Sequence, residues 1–268
     1  MLNALFALLL AAAPAAPVCH WNETAPNPPA RDGYSLCIFG GNWFDLGLGY
    51  EGPTALEKLR KQDAKAAIAC FGPESIESFE WNTQRLTLTR EATGRLVHAI
   101  RRYDSQVERT GAAAEFAAGE EKLKKLMDSL DWSSDIEMDL QLRAFQVRVD
   151  DKPIYGGIFL DPTSQMGISF PVARVDAVSD CRAAFNFLPT HMPFVTEDPV
   201  DEAGKVRKLD VTPEAQEDTK ALDEDDNFFT GWITNMALSP EAAELRKLVR
   251  DPAIQHSLEK AGKLAPGS

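Results

Sequence analysis

Residues 145–175 read FQVRVDDKPIYGGIFLDPTSQMGISFPVARV, and how this stretch divides decides the fold. Phe145, Val147 and Val149 alternate with Gln146, Arg148 and Asp150. A strand here puts three apolar side chains on one sheet face and three polar ones on the other. Asp150-Asp151-Lys152 breaks the run and Pro153 lacks a donor, which marks a hairpin turn. From Ile154 to Leu160 both faces are apolar, the pattern of a strand covered on both sides. Gly156-Gly157 inside that run calls for a bulge or a close backbone approach. Asp161-Pro162-Thr163-Ser164 reads as a second turn, Ile168–Val175 as a third strand with Pro171 near an edge or bulge, and Ala183–Leu188 as a fourth. Turns this short favour an antiparallel meander. The aromatic side chains here read as core.

The flanking segments supply helices. Pro53–Cys70 places Leu56, Leu59, Ala66, Ala67 and Cys70 on one helical face, interrupted only by Asp63. Residues 76–88 read as two strands around Asn82-Thr83, and Tyr34–Phe39 as a first strand. Thr89 caps a helix with Leu96, Ile100, Tyr103 and Val107 on one side. Glu120–Leu130 reads as another helix, after the small-residue joint at 110–119. Ser239-Pro240-Glu241 and Asp251-Pro252 are helix starts, with Gly262 a stop. The expected class is therefore α+β: an antiparallel β-meander packed against several α-helices, with a C-terminal helical segment. The first three helices should cover one sheet face. The C-terminal apolar patch around Phe228, Phe229 and Trp232 should cover part of the other.

Four divisions follow from composition. Residues 1–15 read as a signal peptide: Ala4–Ala13 is apolar, and Ala13 and Ala15 suit a cleavage site after Ala15. The run is well short of the ~20 apolar residues of a membrane span, and no later segment is long and apolar enough either. Residues 16–195 form the α+β domain, opening on a Pro-rich leader that holds a glycosylation sequon at Asn22. Residues 196–226 carry twelve Asp/Glu against four Lys/Arg and read as a solvated acidic linker, the first place a protease should cut. Residues 227–268 form a C-terminal helical segment that docks on the main domain.

Net charge is −13, which argues against a nucleic-acid partner. The four cysteines, Cys19, Cys37, Cys70 and Cys181, are an even set in a chain read as periplasmic or secreted. They suggest two disulfides, with three possible connectivities. Cys37–Cys70 with Cys19–Cys181 is the favoured pairing, because the first pair brackets a strand, a loop and a helix.

Motifs that would carry chemistry fail on context. Gly47-Leu48-Gly49-Tyr50-Glu51-Gly52 matches GxGxxG, but the preceding strand does not run into the first Gly and Pro53 starts the helix after the last one. Asp223, Asp225 and Asn227 sit at EF-hand spacing, yet Phe228 and Thr234 stand where Gly and Glu are needed. His20, His98, His191 and His256 have no paired-ligand spacing, and there is no GxSxG, Walker A or SxxK motif. No cofactor or metal is expected. The leading reading is an exported protein that binds a protein partner, as an inhibitor or immunity-type factor does, or an envelope component. A periplasmic or secreted hydrolase with its site at the meander's loop ends is the alternative, and a structural envelope component is a third.

Overall fold

The computed structural model describes residues 32–43, 45–48, 52–110, 135–193, 195, 197–207 and 226–267. Its frame is one eight-stranded sheet. The strands are β1 (Tyr34–Asn42), β2 (Ala67–Phe71), β3 (Ile76–Glu80), β4 (Arg85–Leu88), β5 (Arg143–Val149), β6 (Lys152–Phe159), β7 (Val172–Ser179) and β8 (Arg182–Leu188). The helices are α1 (Gly52–Arg60), α2 (Arg90–Thr110), α3 (Asp135–Leu140), α4 (Asp226–Ala237), α5 (Pro240–Val249) and α6 (Pro252–Lys260). Sheet order is β2-β1-β5-β6-β7-β8-β4-β3. The fold is thus α+β, as the pattern of 145–188 suggests. None of the described helices is long and apolar enough to cross a membrane.

The β5–β6 hairpin turns where expected. Asp150 and Asp151 both take positive φ, the geometry of a two-residue turn that matches strand twist. The next link differs from a meander: β6 and β7 pair in parallel, through Ile158↔Val172 and Phe159↔Ala173 alone. Asp161 does make its turn, accepting from Thr163 N at 2.6 Å. The chain then doubles back, and Ile168 pairs with His191 instead of opening the third strand. β7 begins only after Pro171, whose carbonyl accepts from Ile158 N at 3.3 Å. Two antiparallel halves, β2-β1-β5-β6 and β7-β8-β4-β3, therefore meet at a short parallel seam.

Gly156 and Gly157 sit at close approaches. A Cβ on Gly156 would lie 2.7 Å from Leu59 Cβ on α1, and one on Gly157 would collide with the Pro171 carbonyl and the Phe145 ring. The obstacle at Gly157 includes backbone across the seam. Gly157→Ala should therefore cost at least the ~1–3 kcal/mol typical of overpacking. Urea titration of the variant checks this, and an unchanged midpoint would contradict it.

The helix expected over Pro53–Cys70 ends at Arg60. Asp63, the residue that spoiled its apolar face, caps a short 3-10 turn by accepting from Lys65 N. Residues 67–71 then form β2, where Leu36 faces Phe71 and Cys37 faces Cys70. Alanine-rich AKAAIAC fits either period, and pairing with β1 decides it. A disulfide joins Cys37 to Cys70 across this pair. Its closed loop spans 33 residues, so reduction should cost about 3–4 kcal/mol in the chain-entropy treatment. Unfolding measured with and without reductant tests the value. Cys181, at the β7–β8 turn, is also disulfide-bonded, while Cys19 lies outside the described residues.

Both sheet faces are covered. One carries Leu36, Ile38, Phe145, Val147, Phe159 and Phe185 and packs on Leu96 and Ile100 of α2 and on Ile254 and Leu258 of α6. The opposite face carries Ala144, Ile158 and Val172 and packs on Ala55 and Leu59 of α1 and on Phe170. So α1 and α2 lie on opposite faces, not together, and α6 shares the α2 side. The polar face of β5 is consequently covered too. Gln146 is fully buried, and its Nε2 donates to the carbonyls of Leu59 (2.9 Å), Arg60 (3.2 Å) and Gln62 (3.2 Å). These carbonyls lie at and just beyond the C-terminal end of α1, where helical i,i+4 bonding stops; that of Leu59 also accepts from Gln62 N at 3.3 Å. Arg148 Nη1 in turn donates to Gln146 Oε1 at 2.7 Å.

The C-terminal region is tied to the sheet at several points. Ser239 and Asp251 cap α5 and α6 as expected, and Gly262 takes positive φ beyond the last turn. Tyr34 N donates to Ser257 Oγ at 2.7 Å. Residues 263–265 bond Phe79 from both sides, which covers the β3 edge. The acidic stretch is packed in its first part: Val200 is buried and pairs with Val206. Residues 208–225 lie outside the described residues, as do the expected helix 120–130, the joint at 111–119 and the leader. The side chains of Phe228 and Phe229 fall outside them as well.

Candidate functional site

Two polar features stand out in this apolar frame. The first is a buried knot on β7. Arg174 is 3 % exposed and His191 is fully buried. Arg174 Nη2 donates to His191 Nδ1 at 2.6 Å and also to the Val195 carbonyl. His191 Nε2 lies 2.9 Å from the Ser164 carbonyl. An acceptor at Nδ1 and a donor at Nε2 define the neutral imidazole tautomer. Burial, with the Arg174 charge adding to it, pushes His191 down to about 4. Burial likewise presses Arg174 down to about 10, so it stays charged at neutral pH. Arg174 Nε and Nη1 bond no acceptor among the described residues. The backbone of His191 is paired with Ile168 in both directions, at 3.0 Å each. His191 is thus a bolt between the 160–171 loop and the sheet.

The second feature is a polar cleft of about 160 Å³ at one end of the sheet. Its walls are the β3–β4 turn (Asn82–Arg85), the end of β8 (Asn186–Pro189), the segment 197–207 and α5. Four arginines line it, Arg85, Arg207, Arg246 and Arg250, together with Asp176, Glu197 and Asp198. Gln84 takes φ 55° in the turn and donates from Nε2 to the Trp81 carbonyl at 2.7 Å. The Gln84 Oε1 and Asn186 Oδ1 atoms are buried and lack a donor among the described residues.

Segment 197–207 is a strap across this cleft. Asp198 takes a forked contact from Arg246, with Nε to Oδ2 at 2.9 Å and Nη2 to Oδ1 at 3.1 Å. Both side chains are only 16 % exposed. Arg250 Nη1 donates to Glu202 Oε1 at 3.1 Å, and its Nη2 to the Asn82 carbonyl at 2.9 Å. Acids four apart on the strap meet two arginines four apart, Arg246 in the last turn of α5 and Arg250 at its C-cap. Arg85 joins the floor by pairing with Asp176 and, at 3.2 Å, with Glu80.

The sequence-derived candidates fall elsewhere. Cys37, Cys70 and Cys181 serve cross-links remote from this cleft's lining. Gly47 sits in the loop after β1, its carbonyl accepting from Lys58 Nζ at 2.6 Å, and Gly52 starts α1 packed against Ser169. His98 lies on α2 and His256 is exposed on α6; His20, Asp223 and Asp225 are outside the described residues. No cluster of His, Cys, Asp and Glu suited to a metal occurs among the described residues. The cleft residues escaped sequence reading, although the matched i,i+4 spacings of Asp198/Glu202 and Arg246/Arg250 are a signal that was present. A separate apolar trough of about 280 Å³ runs between α4, α5 and residues 190–192, lined by Met192, Trp232, Met236 and Leu245.

No protein-family model, curated protein or solved structure matches the chain.

Proposed function

We propose that this is an exported protein that acts by binding a protein partner or an envelope component, and that the arginine-lined cleft is where it does so. The carrying observation is that four guanidinium groups, from the start of β4, the strap, and the last turn and C-cap of α5, line one pocket and each pair with a carboxylate, in a chain of net charge −13. Guanidinium forks recognise carboxylates and phosphates bidentately, which suits selective binding of charged groups. Export is supported by the apolar leader at 4–13 and by the Cys37–Cys70 disulfide, a bond that persists in oxidising compartments.

The test compares captures from an envelope extract by the secreted protein and by its Arg85→Gln variant. Arg85 lines the cleft without contacting the strap's acids. The variant should lose the captured species while keeping its melting temperature within a few degrees. Equal capture by both proteins would remove the cleft from the binding site.

A further inference from the structure

We infer that the cleft is a groove for an acidic peptide segment, held closed in the free protein by the chain's own strap. This rests on the binding role assigned to the cleft above and specifies its ligand and its regulation. The strap itself shows what the groove accepts. Asp198 and Glu202 occupy Arg246 and Arg250 in the same order along both segments, each pair 48 residues apart in sequence. That is the contact a foreign peptide with two acids four residues apart would make. Beneath the strap, Gln84 and Asn186 line the same cleft, with Gln84 Oε1 and Asn186 Oδ1 buried and without a donor among the described residues.

Competition follows from tethering. The strap binds intramolecularly, so a partner segment must overcome the effective concentration of a resident one. Its hold is electrostatic and partly exposed: Glu202 is 52 % exposed and Arg250 24 %. Salt weakens such a contact. A partner presenting more acids, or acids on a rigid element, displaces the strap and takes over Arg246 and Arg250.

The experiment uses the full secreted chain and a fluorescent synthetic peptide of residues 197–204. In the unaltered protein the strap excludes the peptide. The double variant Asp198→Asn/Glu202→Gln keeps the side-chain shapes and removes the charges. It should bind the peptide at least about tenfold tighter than the unaltered protein does, and amides of 197–207 should exchange faster by about the same factor. Adding Arg246→Gln should abolish peptide binding. As a second measurement, raising salt on the unaltered protein should speed exchange at 197–207 before any other described segment. Unchanged exchange in the double variant would overturn the strap. Faster exchange without peptide binding would overturn the acidic-peptide groove. Either failure leaves the Arg85→Gln capture result standing, whereas loss of that result removes the binding role itself.

Discussion

Phe159→Ala should lower the unfolding free energy by about 3–5 kcal/mol, the range for removing a large aromatic side chain from a packed core. Phe159 is 1 % exposed. Its ring lies 5.4 Å from Phe145 and 5.3 Å from Phe185, both near edge-to-face. Phe145 in turn meets Phe187 at 5.4 Å. Phe145 and Phe159 belong to one half of the sheet and Phe185 and Phe187 to the other. The aromatic cluster therefore bridges the seam, where backbone pairing contributes only two residue pairs. Ile158→Ala removes packing from the opposite face, against α1, and should cost about 2–5 kcal/mol. Arg148→Ala, on a face that seemed open to water, should cost about 1–2 kcal/mol, because its guanidinium bonds Gln146 and the Asp151 carbonyl. A denaturant series ranks the three. Equal small losses would mean the sheet centre is not the core.

The second large effect is acid destabilisation through His191. In the unfolded chain its imidazole titrates near the usual 6.5, and in the fold burial holds it at about 4. The folded state therefore binds fewer protons between these values, so stability falls as pH drops through that window. Above 6.5 the contribution is complete; near 4 and below it is gone. The difference corresponds to about 3 kcal/mol. Protonation would also set an imidazolium against Arg174 and remove one of the two acceptors of its Nη2, leaving the Val195 carbonyl. Stability measured from pH 7 to pH 4 should fall more steeply for the native chain than for His191→Gln, which has no proton to take up there. Parallel curves would assign the acid sensitivity to other groups.

Local signals served well where local chemistry decides. The alternation at 145–149, the Asp150-Asp151 turn, the Gly-Gly approach, the 76–88 hairpin and the caps at Thr89, Ser239 and Asp251 were all legible. Reading failed where a distant partner decides. Residues 67–70 carry a helical period, and only β1 and Cys37 make them a strand. Asp161-Pro162 signals a reversal, but nothing nearby says that Ile168 will pair with His191 rather than with β6. The cleft is the extreme case: its principal ion pairs join residues 48 positions apart, and each charge alone reads as solvated surface.

The strand order carries a kinetic consequence. β3–β4, β5–β6 and β7–β8 are hairpins that close over a few residues and form on the microsecond scale. β1 is different, because its inner neighbour is β5, with Gly33 meeting Asp150 across a separation of 117 residues. Insertion of β1 must wait until most of the chain is present, and such long-range pairing makes a protein fold slowly. During synthesis the amino-terminal strand therefore emerges long before the strand it needs, and the chain stays open until its second half arrives.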